Sequence, residues 1–311
     1  MPPTIAVIGA GLAGLTCAHA LREAGLAPRI FEKSRGLGGR LATRRTDGLA
    51  FDHGAQFMTA RGAPFAEWLD GALARGEAAE WMPQGLDRGR RRYVGVPKMN
   101  APLRHLADGL NVTFQTEVAA VVPDGERWRL KLADGTVTEP LDHVICTAPA
   151  PQAAKLLAAD AALAEALAQV EIAPCWTLMV AFDRAPDLPD AAQDPREGIA
   201  WIARAGSRPG RDAAHAWVVH ASPEWSIEHL DLDKDDVRDR LLDLLGPLPA
   251  PVHAAAHRWR YAMTTRPLGR PFAASADGSL MAGGDWTLGA RVEAAFDSGK
   301  ALAQAVVSGV R

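Results

Sequence analysis

Residues 4–8 form a short apolar run that ends on Gly9, Gly11 and Gly14. A helical period of apolar positions follows to Ala24 and stops at Gly25. Residues 27–32 then read as a second strand, so the chain opens with a β-α-β unit. The spacing of Phe65, Trp68, Leu69 and Leu73 predicts a helix over 62–76, and strands are expected at 80–82 and 91–94 around the basic turn Asp87-Arg88-Gly89-Arg90. A helix at 100–106 precedes strands at 112–115, 118–122 and 128–132, joined by Asp-Gly turns, and then an apolar strand at 142–146. An Ala/Leu-rich helix covers 151–169.

Beyond that helix the texture changes. Strands are expected at 176–182, 199–202, 214–220 and 253–261, interrupted by one charged amphipathic helix at 225–245. The chain closes with a strand at 279–283 and an Ala-rich helix at 292–307. This order predicts an α/β protein with a discontinuous Rossmann-like nucleotide-binding domain, 1–61, 98–150 and 273–311, and a second domain, 62–97 and 151–272. The second domain is expected to be a mixed β-sheet with helices that roofs the first.

Composition narrows the class. The 34 basic and 37 acidic residues leave a net charge of −3, which disfavours a nucleic-acid or membrane-surface partner. Three cysteines in apolar contexts lack any metal-ligand spacing, so no metal site is expected. No apolar run approaches the roughly 20 residues of a membrane span, and a reducing, cytoplasmic setting is the expectation. Only six of the basic residues are Lys, and seven of the nine Trp fall in the second domain. A flat substrate beneath that roof would find its walls there.

The chemistry begins at Gly9-Ala10-Gly11-Leu12-Ala13-Gly14, between a strand and a helix. The first glycine makes the tight turn, the second lets backbone approach a pyrophosphate, and the third packs helix on strand. Glu32 ends the second strand 21 residues after Gly11, placed to accept hydrogen bonds from an adenosine ribose. Arg35-Gly36-Leu37-Gly38-Gly39-Arg40 adds a second glycine-rich turn with an Arg at each end, suited to a diphosphate. NAD-binding domains have no such second loop, so FAD is the expected cofactor.

GAGLAG, FEKSRGLGGR with TRR, and FDHGAQFMTAR together resemble the flavin amine oxidase superfamily, in particular its bacterial renalase-like branch. The stretch from Met281 through Asp285-Trp286 to Gly299 resembles the superfamily's closing motif, and Tyr93 to Asn100 its "gly-met-asn" turn. The resemblance implies that Ala13 contacts the pyrophosphate, Glu32 and Lys33 the adenosine, and Arg40 the diphosphate. It implies that Gly54, Ala55, Gln56 and Phe57 run past the isoalloxazine, Val118 brackets the adenine, and Asp285 binds a ribityl hydroxyl. Val292, first in the last helix, would aim its amide at the flavin O2, where negative charge develops when N5 takes a hydride.

Amine oxidases of this superfamily usually carry a Lys near flavin N5 on a strand of the substrate domain. Here the only Lys between Lys155 and Lys300 is Lys234, in a charged helix, and His257-Arg258-Trp259-Arg260-Tyr261 occupies the expected strand. No Cys lies near the closing motif, so the FAD is expected to be non-covalent. The renalase-like resemblance implies oxidation of 2- or 6-dihydro-NAD(P), with hydride passing to N5 and O2 reduced to H2O2. Such a dihydropyridine dinucleotide needs orientation and a flat slot rather than a base. Trp286, Tyr261, Trp259 and Phe57 are candidates for that slot and His53 for a hydrogen bond to flavin or product. Arg61, Arg258, Arg260 and Arg266 are candidates for the substrate phosphates. The rivals are an amine oxidase, a desaturase-like enzyme, or a protein that holds FAD without turnover.

Overall fold

The computed structural model describes residues 2–87, 89–212 and 215–310. Arg88 of the basic turn and Ala214 of an expected strand lie outside the described residues.

Six strands form the first sheet, in the order Ala273–Ala274, Leu280–Ala282, His143–Cys146, Ile5–Ile8, Arg29–Phe31, Asn111–Thr113. All neighbours are parallel except the short first strand. Its central strands are continuous apolar runs because both faces are covered, as parallel sheets require. On one face helix Leu12–Glu23 lies against the last helix, Val292–Val310. These two touch backbone to backbone: a Cβ on Gly299 would sit 2.4 Å from the Ala13 carbonyl oxygen. The other face packs on the hairpin of Val118–Asp124 and Arg127–Leu132 and on helices Ala150–Leu156 and Ala161–Ala168.

A second, five-stranded sheet runs in the order Ala191–Arg196, Ile199–Arg204, Ala216–Ala221, Glu171–Phe182, Pro251–Arg266. It is antiparallel throughout, where the sequence suggested a mixed sheet. Alternation along Glu171–Phe182 divides its faces. Trp176, Leu178 and Val180 pack with Val237, Leu241 and Leu245 of helix Lys234–Leu245. Met179 and Ala181 face the other way, onto Phe51.

Phe51 belongs to a hairpin, Thr43–Thr46 and Leu49–Asp52, that the apolar pattern did not reveal. Its two-residue turn is Asp47-Gly48, both with positive φ (46° and 78°), the geometry that matches the twist of paired strands. Two expected helices also divide. The stretch 151–169 breaks before Asp160, whose side chain caps the next helix by accepting from Leu163 N at 2.8 Å. The stretch 225–245 splits into Pro223–Glu228 and Lys234–Leu245, capped by Ser222 and Asp233. No described helix is long and apolar enough to cross a membrane.

Candidate active site

A cleft of about 2370 Å³ runs between the two sheets, beyond the ~300–1,000 Å³ of ordinary ligand pockets. Gly9, Gly11 and Ala13 line it at one end, with Glu32, Lys33, the second glycine loop and Val118. His53, Gly54, Ala55, Gln56, Phe57, Asp285 and Val292 also line it, together with Trp201, His220, His257, Trp259 and Tyr261 of the antiparallel sheet.

The cradle fits a flavin dinucleotide. A Cβ on Gly14 would lie 2.0 Å from the Gly9 carbonyl oxygen, so only glycine lets helix Leu12–Glu23 approach its strand. A Cβ on Gly11 would meet nothing, which leaves the helix N-terminus open to the cleft. That N-terminus has no side-chain cap and no acidic residue in its first turn, so its free amides suit a phosphate. Glu32 is buried, accepting from Ala10 N and Ser34 N at 2.7 Å each, and lies between the two glycine loops. Arg40 donates to Asp285 Oδ1 at 2.5 Å and to the Ala262 carbonyl at 3.1 Å, so the two residues expected to hold different parts of the cofactor are joined. Gly54 is pressed onto the Arg40 carbonyl, where a Cβ would come within 2.1 Å, and Ala55 N donates to that same oxygen at 2.8 Å.

Rings cluster where the antiparallel sheet meets His53. His53 lies 4.8 Å from His257 and 4.9 Å from Trp259, centroid to centroid, and His257 lies 4.5 Å from Trp259. The His53 carbonyl accepts from Trp259 Nε1 at 3.0 Å and lies 3.3 Å from His220 Nε2. Burial holds all three imidazoles at a pKa of about 4; the charge of Arg44 adds to the lowering at His53, and those of His53 and Arg44 at His257. All three are neutral at pH 7.

Behind these rings sits a buried polar network. Gln56 Oε1 accepts from Trp201 Nε1 at 3.2 Å and from the Arg208 guanidinium at 2.6 Å, while its Nε2 donates to the Asp52 and Gly54 carbonyls. Arg208 is only 2% exposed and lies 4.8 Å over the Trp81 ring. Burial lowers its pKa to about 10, so it stays charged at neutral pH. Asp52, the carboxylate beside it, is ion-paired with buried Arg211.

Several sequence expectations are corrected here. Trp286 does not wall a substrate slot; it is fully buried in the core, donating to the Ala148 carbonyl at 3.1 Å. Of the nine Trp only Trp201 and Trp259 line the cleft, because most of the others fill cores. Arg61, Arg258 and Arg260 line the cleft, Arg258 donating to the Leu230 carbonyl and Arg260 to Asp231, whereas Arg266 pairs with Glu171 away from it. Nothing in the local sequence marks Arg208, Arg211 or His220 for this site, and Trp201 and Arg44 enter it only as one of the second-domain tryptophans and as part of the TRR stretch. Most of the Gln56 partners lie 145 or more residues away, beyond any local pattern.

The two lysines on the cleft, Lys33 and Lys155, lie outside the antiparallel sheet, and Lys234 is exposed on its helix. Cys175 lines the cleft with its thiol pushed up to about 12 by burial, hence protonated. Among the described residues no group of His, Cys, Asp and Glu could hold a metal.

A glycine-cradled dinucleotide site beneath an antiparallel roof defines a flavin-dependent oxidoreductase. Residues 7–70 match the NAD(P)-binding Rossmann-like domain and residues 73–307 match flavin containing amine oxidoreductase; the chain belongs to this family, and FAD is its cofactor. It is 31% identical over 147 residues to the acetone monooxygenase (methyl acetate-forming) of Gordonia sp. (strain TY-5), covering 45% of this chain and 24% of that one. It is 34% identical over 98 residues to protoporphyrinogen oxidase 2, chloroplastic/mitochondrial, of Arabidopsis thaliana, covering 30% of this chain and 18% of that one. The chain therefore spans a quarter or less of these relatives' length. The crystal structure of a "Putative protoporphyrinogen oxidase" from Exiguobacterium sp. 255-15 superposes with a TM-score of 0.77 over 99% of both chains; at 15% identity this likeness is one of fold.

Proposed function

We propose that this chain is a renalase-like oxidase that converts 2- or 6-dihydro-NAD(P) to NAD(P)+, with O2 and a proton consumed and H2O2 formed. The observation that carries this reading is the cleft wall itself: the neutral imidazoles of His53 and His257 beside the rings of Trp259 and Tyr261, with no lysine from the antiparallel sheet. When bound, FAD supplies a hydride acceptor at N5 and a route for the electrons to O2. A dihydropyridine expels its own hydride as it becomes aromatic, so the protein has no proton to remove. Its work is orientation, and flat uncharged side chains suit a flat uncharged ring. Val292 opens a 19-residue helix on the cleft, so its end of the helix dipole favours negative charge nearby.

A second reading is hydride removal from a porphyrinogen, in which a pyrrole nitrogen pushes the hydride out and then sheds its proton; the likeness to protoporphyrinogen oxidases favours it. Aerobic assays separate the two. The dihydronicotinamide reading expects NAD(P)+ and H2O2 in equal amounts from at least one isomer. H2O2 formed only with a porphyrinogen or a primary amine would contradict it.

A further inference from the structure

The cleft is rich in arginine, and four of its guanidinium groups are engaged by the protein. Arg40 is bound to Asp285, Arg258 to the Leu230 carbonyl, Arg260 to Asp231, and Arg291 lies beside Glu293. Arg44 differs. It lines the cleft and is exposed, and among the described residues no carboxylate or carbonyl engages it. Its direction follows from the hairpin: Arg44 pairs across the strands with Phe51, so the two side chains share a face. Phe51 stacks on His253 at 5.5 Å, which aims that face at strand Pro251–Arg266. Alternation along that strand brings His253, Ala255, His257 and Trp259 to the side that looks back at the hairpin. Arg44 therefore stands at the edge of the ring wall, where its charge reaches His53 and His257.

We infer that Arg44 is a specificity-determining residue that binds the phosphates of the substrate's nucleotide arm while the nicotinamide lies against the rings. This rests on the dihydronicotinamide reading for the identity of the ring, but not for the anion. A guanidinium with no internal partner can give two parallel charge-assisted hydrogen bonds to a phosphate, and an exposed one costs little to desolvate. The hairpin explains why a protein of net charge −3 can take a dianionic ligand: the positive charge is local.

The test uses FAD-loaded enzyme and the variants Arg44→Ala, Arg44→Lys and Arg266→Ala. Binding of ADP-ribose, which carries the phosphates but no oxidisable ring, is measured by calorimetry. Arg44→Ala is expected to weaken it about tenfold, Arg44→Lys by less, and Arg266→Ala, outside the cleft, not at all. In turnover, Arg44→Ala should raise KM for the dihydronicotinamide dinucleotide with kcat kept, and leave the phosphate-free dihydronicotinamide riboside unaffected. Equal ADP-ribose affinity in wild type and Arg44→Ala, or no binding by wild type, overturns the inference. Binding through Arg44 without flavin reduction by any dihydronicotinamide overturns the functional reading alone.

Discussion

At the scale of single residues, the buried charges make the clearest demand. Asp52 is 3% exposed and faces two buried cations, Arg211 in direct contact and Arg208 nearby. Asp52→Asn would leave both guanidinium groups without a counter-charge, and removing one partner of a buried pair costs about 3–5 kcal/mol. Chemical denaturation should show a loss of that size; a loss below about 1 kcal/mol would show that Arg208 and Arg211 find compensation elsewhere. The glycines of the first loop divide by role in a way that can be separated experimentally. Gly14→Ala forces a Cβ into the Gly9 carbonyl and should lower the melting temperature even of the FAD-free protein. Gly11→Ala meets no protein atom, so the fold should keep its melting temperature while FAD retention falls. Equal effects of the two substitutions on the FAD-free protein would contradict this division.

At the scale of elements, the three imidazoles come from a turn and two strands, and they titrate away from their ordinary value of 6.5 to about 4. Protonation is harder in the folded chain than in the unfolded one, so this contribution to stability is complete above pH 6.5 and is lost as pH falls toward 4. Thermal unfolding should therefore shift down steeply across that window, while kcat/KM stays flat from about pH 6 to 8. An inflection near pH 6.5 that vanishes in His257→Gln would contradict neutral rings. What the sequence revealed at this scale follows from where periodicity is strong. The β-α-β opening and the strands around 143–146 and 280–282 are legible because buried parallel strands are unbroken apolar runs. The hairpin of Thr43–Thr46 and Leu49–Asp52 is hidden because Thr-Arg-Arg-Thr presents no alternation, although Asp47-Gly48 marks its turn. The divided helices carry their signal in Asp160 and Asp233, capping residues overridden in reading by the apolar spacing on either side.

At the scale of the whole molecule, the chain builds one cleft from two sheets with different tasks. The parallel sheet and its glycine loops line the part of the cleft where FAD is expected, and those loops were legible because each is one short stretch of sequence, Gly9–Ala13 and Glu32–Arg40. The roof was legible only as strands. Which of its side chains reach the cleft depends on pairings such as Gln56 with Trp201 and Arg208, and Trp286 belongs to the core for the same reason that most tryptophans do. The scarcity of lysine gains its meaning here, since the wall where one was sought carries His257 and Trp259 packed on His53. The most direct measurement is anaerobic stopped-flow mixing of the FAD-loaded enzyme with 2- and 6-dihydro-NAD(P). The proposed function expects at least one isomer to bleach the flavin absorbance within seconds and yield NAD(P)+. Failure of both isomers, with bleaching by a primary amine, a polyene or a porphyrinogen, would contradict it.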